Sequence, residues 1–188
     1  MAKRKMTFDY GRFFLMTNTA YIDYSGGDKV EIGKIIDTTC DKEVMYIYYN
    51  RNAFSDNGYH MTFIVHVIDG EKVPVVYIDD MYRACLVEHP DVFLALSLHE
   101  YGHFINKDFE RKDISNRQIQ EERSECIRSG RVYEMERKAD AFAVKFVGKA
   151  SFLSSLDFLI ENRRKRNDLG MDLAIKEFEL RKRAVKNM

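Results

Sequence analysis

Four stretches early in the chain, residues 30–36, 43–49, 60–68 and 73–78, are rich in β-branched and aromatic side chains and predict strands. Asp69-Gly70 between the last two reads as a hairpin turn, Asn57-Gly58 as another turn, and Gly26-Gly27 as a break before the first. The pattern then changes. Pro90 suits a first helical position, and Val92, Phe93, Leu94, Ala95, Leu96 and Leu98 follow it, apolar nearly all round, as in a helix packed on several sides. Further on, Met135, Ala139, Phe142 and Phe146 recur at helical spacing and form one apolar stripe. Ser151 is placed to cap a helix running to about residue 166. Residues 167–170 break it, and a last helix spans about residues 172–186.

Two stretches resist this reading. Residues 8–24 mix aromatics, Gly11 and threonine in no clear period, and residues 107–131 are densely charged and only weakly periodic. The latter fits a short helix with flexible connections, either a lid or an ordinary solvated link. The expectation is an α+β protein: a mostly antiparallel sheet over about 28–80, helices over about 90–106 and 130–148, and C-terminal helices over about 151–186. At 188 residues, one domain spanning 1–188 is the simplest organisation.

Composition narrows the function classes. Thirty basic and thirty acidic residues cancel, so no global field favours nucleic acid. No run approaches a transmembrane span, and the basic N-terminus is followed by Asp9 and Arg12 rather than a secretory apolar core. Cys40, Cys85 and Cys126 are odd in number and widely spaced, which suits reduced thiols in the cytoplasm.

The chemistry concentrates at His99-Glu100-Tyr101-Gly102-His103. On a helix, residues four apart share a face, so both imidazoles can reach one metal ion while Glu100 lies beside its open position as a base. Chance alone places such a motif in roughly one comparable chain per hundred, so its surroundings must support it. The bland alternative is a core helix with two satisfied histidines. Gly102 costs about 1 kcal/mol against alanine inside a helix, which makes sense where something approaches closely. A catalytic zinc usually takes three protein ligands. Glu136 is the best third donor: it lies on the edge of the second apolar stripe, with Ala139 and Ala143 small enough to admit another helix. Asp140, one turn on, can accept the free ring N–H of a ligating histidine. Taken alone, this segment also reads as the solvated face of an amphipathic helix.

His-Glu-Tyr-Gly-His followed by Glu136-x-x-Ala139-Asp140-x-Phe142-Ala143 resembles the gluzincin zinc metallopeptidases, in particular the small soluble ImmA/IrrE-like peptidases and the minigluzincins. The resemblance covers two helices. It implies a zincin-like domain with one zinc per chain on His99, His103 and Glu136, Glu100 as general base and acid, and a peptide or protein substrate. ImmA/IrrE-like proteins often carry Asn where this chain has Asp140.

Other residues complete the expectation. Tyr133, one turn before the third ligand, is a candidate oxyanion donor, against a plain packing role. Pro74 cannot donate to a sheet ladder, so residues 73–78 predict an edge strand on which Val75, Val76, Tyr77 and Ile78 bind substrate through the main chain. Because Val75 and Val76 are both apolar, an interior strand is the competing reading. His60, His66 and His89 could join a metal site, but His60 and His66 sit in a strand pattern and read as surface or hairpin residues. The basic run at 163–166 reads as a helix C-terminus, so neither nucleic acid nor membrane is expected as a partner. The oligomeric state is open. Two function classes remain: a metallopeptidase, or a regulatory or interaction protein on the same scaffold with little or signal-dependent activity.

Overall fold

The computed structural model describes residues 5–18, 30–50, 61–68, 70–110, 115–166 and 171–188. It is an α+β chain, a sheet followed by helices, and divides into two compact units, residues 1–94 and 95–188. The expected turns at Gly26-Gly27 and Asn57-Gly58, His60, and the break at 167–170 lie outside the described residues.

Among the described residues six strands make one sheet in the order β1-β2-β3-β4-β6-β5: β1 Lys5–Tyr10, β2 Phe13–Asn18, β3 Val30–Asp37, β4 Lys42–Tyr49, β5 Met61–Ile68 and β6 Glu71–Ile78. The four expected strands are present, each within two residues of its predicted limits. The hairpin β1–β2 was not expected. It turns at Gly11, whose φ of 74° suits a residue without Cβ. Its inward positions Phe13, Leu15 and Thr17 are buried in alternation, but outward Phe14 and Met16 are also apolar and hide the period.

Strand β6 corrects an expectation. Val75–Ile78 do not form an edge: β6 pairs with β4 in parallel, Tyr46↔Val75 to Tyr49↔Ile78, and with β5 antiparallel over its whole length. Their main-chain groups belong to the sheet, so the proposed substrate rim at Val75, Val76, Tyr77 and Ile78 is withdrawn. Pro74 is tolerated because the ladder with β4 begins only at Val75, so its missing N–H costs no bond on that side. The apolar run with Val75, Val76, Tyr77 and Ile78 all buried was the better signal, since an interior strand covered on both faces reads as a continuous apolar stretch. The edge next to β6 is β5, with Ile64 and Val67 exposed.

A helix not expected from the sequence follows β6. In α1, Asp80–Glu88, the Asp79 carboxylate caps the N-terminus by accepting from the backbone N–H groups of Met81 and Tyr82. Helix α2, Pro90–Ile105, matches its predicted span. A short 3-10 turn, Asp108–Glu110, leads on to α3, Asn116–Arg128. Within the charged stretch α3 is longer than expected, and Ser115 and Gln118 close a capping box at its start. Helix α4, Glu134–Arg166, contains a break at Gly148, φ 81° and ψ 161°. The break falls three residues before Ser151, which therefore sits inside the second half rather than capping it. Helix α5, Met171–Lys186, follows the last expected span. No described helix is long and apolar enough to cross a membrane.

Candidate metal centre

The site lies within the unit formed by residues 95–188. Two helices meet where neither has bulk. A Cβ added to Gly102 of α2 would stand 3.0 Å from the Cα and 3.2 Å from the carbonyl oxygen of Ala139 in α4. The glycine thus lets two helix backbones approach to contact, as its position in the motif suggested. That approach brings Glu136 beneath the histidine pair.

Three donor atoms converge there. His99 Nε2 lies 3.2 Å from His103 Nε2 and 3.3 Å from Glu136 Oε2, and Glu136 Oε1 lies 3.8 Å from His103 Nε2. Tetrahedral zinc with bonds of about 2.0–2.1 Å holds neighbouring donors about 3.3 Å apart, so this nitrogen–nitrogen–oxygen set fits the ion. All three residues are buried, and the cluster can hold a metal.

The outer nitrogen of each ring is engaged by a carboxylate. Asp140 Oδ1 lies 2.9 Å from His99 Nδ1, the place expected for it. Asp108 Oδ2 lies 2.8 Å from His103 Nδ1 and was not foreseen. A carboxylate at Nδ1 places a proton there and aims the Nε2 lone pair inward. Two such lone pairs and a carboxylate oxygen facing one point repel each other unless a cation or a proton sits among them. Burial and the Arg181 charge act to lower the His99 pKa, but hydrogen bonds to Asp140 and Glu136 outweigh them and raise it to about 9.

Two arginines surround the carboxylates, and sequence reasoning missed both. Arg181 of α5 grips Asp140 with Nε at 3.0 Å from Oδ2 and Nη2 at 2.5 Å from Oδ1, while Nη1 reaches Glu136 Oε2 at 3.1 Å. Arg123 of α3 sets Nη1 at 3.2 Å from Glu136 Oε1 and forks onto Glu177 of α5, at 2.6 and 2.8 Å. Burial would raise the Glu136 pKa, but Arg181, His99 and Arg123 hold it well below the ordinary carboxylate range. Asp140 is likewise lowered against its burial, by Arg181 and His99. No local motif marks Arg123, Glu177 or Arg181; the available hint was Glu177 and Arg181 four apart on an otherwise apolar helix face with Phe178 and Val185.

Glu100 is half-buried and makes no hydrogen bond or ion pair with another described residue. The hydroxyl of Tyr133, the expected oxyanion donor, donates to Glu122 Oε2 at 3.1 Å. His66 contacts the Tyr77 hydroxyl through Nε2 at 3.1 Å, and His89 is an exposed residue at the end of α1. A scan of protein-family models and searches of curated proteins and of solved structures return no match.

Proposed function

We propose that the protein is a zinc-dependent metallopeptidase with a zincin-like catalytic region, acting on a peptide or protein substrate. What supports this reading is the convergence of His99 Nε2, His103 Nε2 and a Glu136 oxygen, with Glu100 directly following His99 in the chain and paired with no other described residue. His99, His103 and Glu136 would hold one zinc ion. When bound, zinc would supply a Lewis acid that polarises a peptide carbonyl and makes a water acidic near neutral pH. Asp140 and Asp108 keep the two rings oriented. Glu100 accepts a proton from the attacking water as its oxygen bonds to the carbonyl carbon, then delivers it to the amine as the C–N bond breaks. Cys40, Cys85 and Cys126 are all unpaired, and a reducing compartment such as the cytoplasm suits them.

The test is zinc content measured together with cleavage of an unfolded protein substrate. Unaltered protein should bind one zinc and cleave; Glu100→Gln should keep the zinc and lose cleavage, because it spares the ligands and removes the base. Unaltered protein that takes up no zinc removes the reading. If zinc is bound and cleavage is absent from both forms, the regulatory or interaction scaffold becomes the better account.

A further inference from the structure

Arg181 lies where a metal would also have to be accommodated. Its Nη1 is 3.1 Å from Glu136 Oε2, and its Nη2 lies against the His99 ring, 3.1 Å from Nδ1 and 3.4 Å from Nε2, so one guanidinium touches two of the three residues of the cluster. The same Nη2, with Nε, grips both oxygens of Asp140, and Arg181 is only 3% exposed. A guanidinium cannot shed its charge at any pH a folded protein meets, so it is a permanent cation in the centre.

Charge bookkeeping explains why one is there. Asp108, Glu136, Asp140 and Glu177 contribute four negative charges, against two positive ones from Arg123 and Arg181, a net of minus two before any metal or proton. Without Arg181 the net is minus three, with Asp140 1% and Glu136 6% exposed. Unpaired buried charge is costly, so these carboxylates need the guanidinium when no metal is bound. A dication arriving at His99 and Glu136 meets that same guanidinium at close range in a medium that screens poorly.

We propose that Arg181 is a resident cation of the metal centre, which holds Glu136 and Asp140 in place in the metal-free protein and weakens metal binding through Glu136 Oε2. Helix α5 therefore sets the metal affinity. Arg181 acts on the other oxygen of the ligand from Arg123, which Glu177 holds from the same face of α5 one turn earlier. Arg181 is a positioning residue; it stabilises one state of the site at the expense of the other.

This inference rests on the reading of the cluster as a metal centre, and zinc titration of the unaltered full chain tests that reading by itself. The inference is tested by melting the metal-free and zinc-loaded forms of the unaltered protein and of Arg181→Met, with zinc affinity from chelator competition. A ligand that binds only the folded state raises its melting temperature in proportion to the logarithm of affinity. The expected result is a large fall for the metal-free variant, a smaller fall for the zinc-loaded one, and zinc affinity tighter by about tenfold, the scale on which neighbours of metal ligands act. Equal falls in both forms with unchanged affinity would show a purely structural arginine and overturn the proposal, as would weaker zinc binding. If Arg181→Met does not fold metal-free, recovery of a folded protein by refolding with zinc supports the proposal, and failure to recover overturns it. Arg181→Lys keeps the charge without the fork, and its zinc affinity should fall between the other two; affinity tighter than that of Arg181→Met would contradict a charge-based opposition.

Discussion

In the sheet unit the buried polar side chains among the described residues are Thr17 and Asp37, whereas the helical unit buries Ser97, His99, His103, Glu136, Asp140, Ser155, Glu177 and Arg181. The two polar arrangements also differ in kind. Asp37 is tied off locally: Arg12 donates twice to Oδ2, at 2.9 and 2.6 Å, and Thr39 donates from its backbone and hydroxyl to Oδ1. Both oxygens of Asp37 are thereby engaged by neighbouring side chains and backbone. In the helical unit the pairs overlap, with Glu136 facing two arginines and two histidines at once. The bonds of Asp37 close on one another, whereas the helical cluster turns three donor atoms toward one another in a set that could hold a metal ion.

The sharpest way to break this contrast is to delete the centre of the helical cluster. Glu136→Ala leaves Arg123 and Arg181 facing a buried gap, and the expected loss is about 3–5 kcal/mol of stability together with zinc binding. Urea unfolding and zinc titration measure both; a variant as stable as the parent and still loaded with zinc would mean that Glu136 is neither counterion nor ligand.

The sheet should respond less, and with a different pH signature. Arg12, then the Thr39 hydrogen bonds, hold the Asp37 pKa below its ordinary 3.8 despite burial. A lowered folded-state pKa means that the contribution is fully present above the unfolded value and fades as pH falls through the folded one. With Arg12 side chain 45% exposed, solvent screens the pair, and Asp37→Asn should cost about 1 kcal/mol at neutral pH. Melting curves from pH 7 to pH 2 should show the two proteins converging in acid; a constant gap would exclude this ion pair as the cause.

Smallest is the effect at Ser97, whose hydroxyl is fully buried with no hydrogen-bond partner among the described residues, two residues before His99. Ser97→Ala removes an unsatisfied group without changing the helix, so it should raise stability by up to about 1 kcal/mol. A loss of stability on calorimetry would mean that the hydroxyl has a partner, for example an ordered water.

What could be read from the chain differs between the units for the same physical reason. Strand and helix periods are local, so β3 to β6, α2, α4 and α5 followed from neighbouring residues. His99, His103, Glu136 and Asp140 were readable because each pair stands four apart on one helix. Asp108 lies five residues beyond His103, across a turn whose course no period encodes. Arg181 is 41 residues from Asp140 and Arg123 is 54 from Glu177, and only tertiary packing makes such pairs meet. Pro74 misled because its rule concerns a single missing N–H, while the run of buried side chains around it reports both faces of the strand.

The distance along the chain between Asp140 and Arg181 also bears on the order of events during synthesis. Translation delivers α2, α3 and the first half of α4 before the residues of α5 exist. For those 41 residues of elongation, Glu136 and Asp140 have no Arg181 to neutralise them, and their burial is disfavoured. The sheet has no such debt, since β1–β2, β3–β4 and β5–β6 are each paired with the next strand in the chain. Emerging domains fold as their parts become available. The sheet can therefore consolidate hairpin by hairpin on the ribosome, β5 joining through β6, while the helical cluster closes only when its last helix arrives.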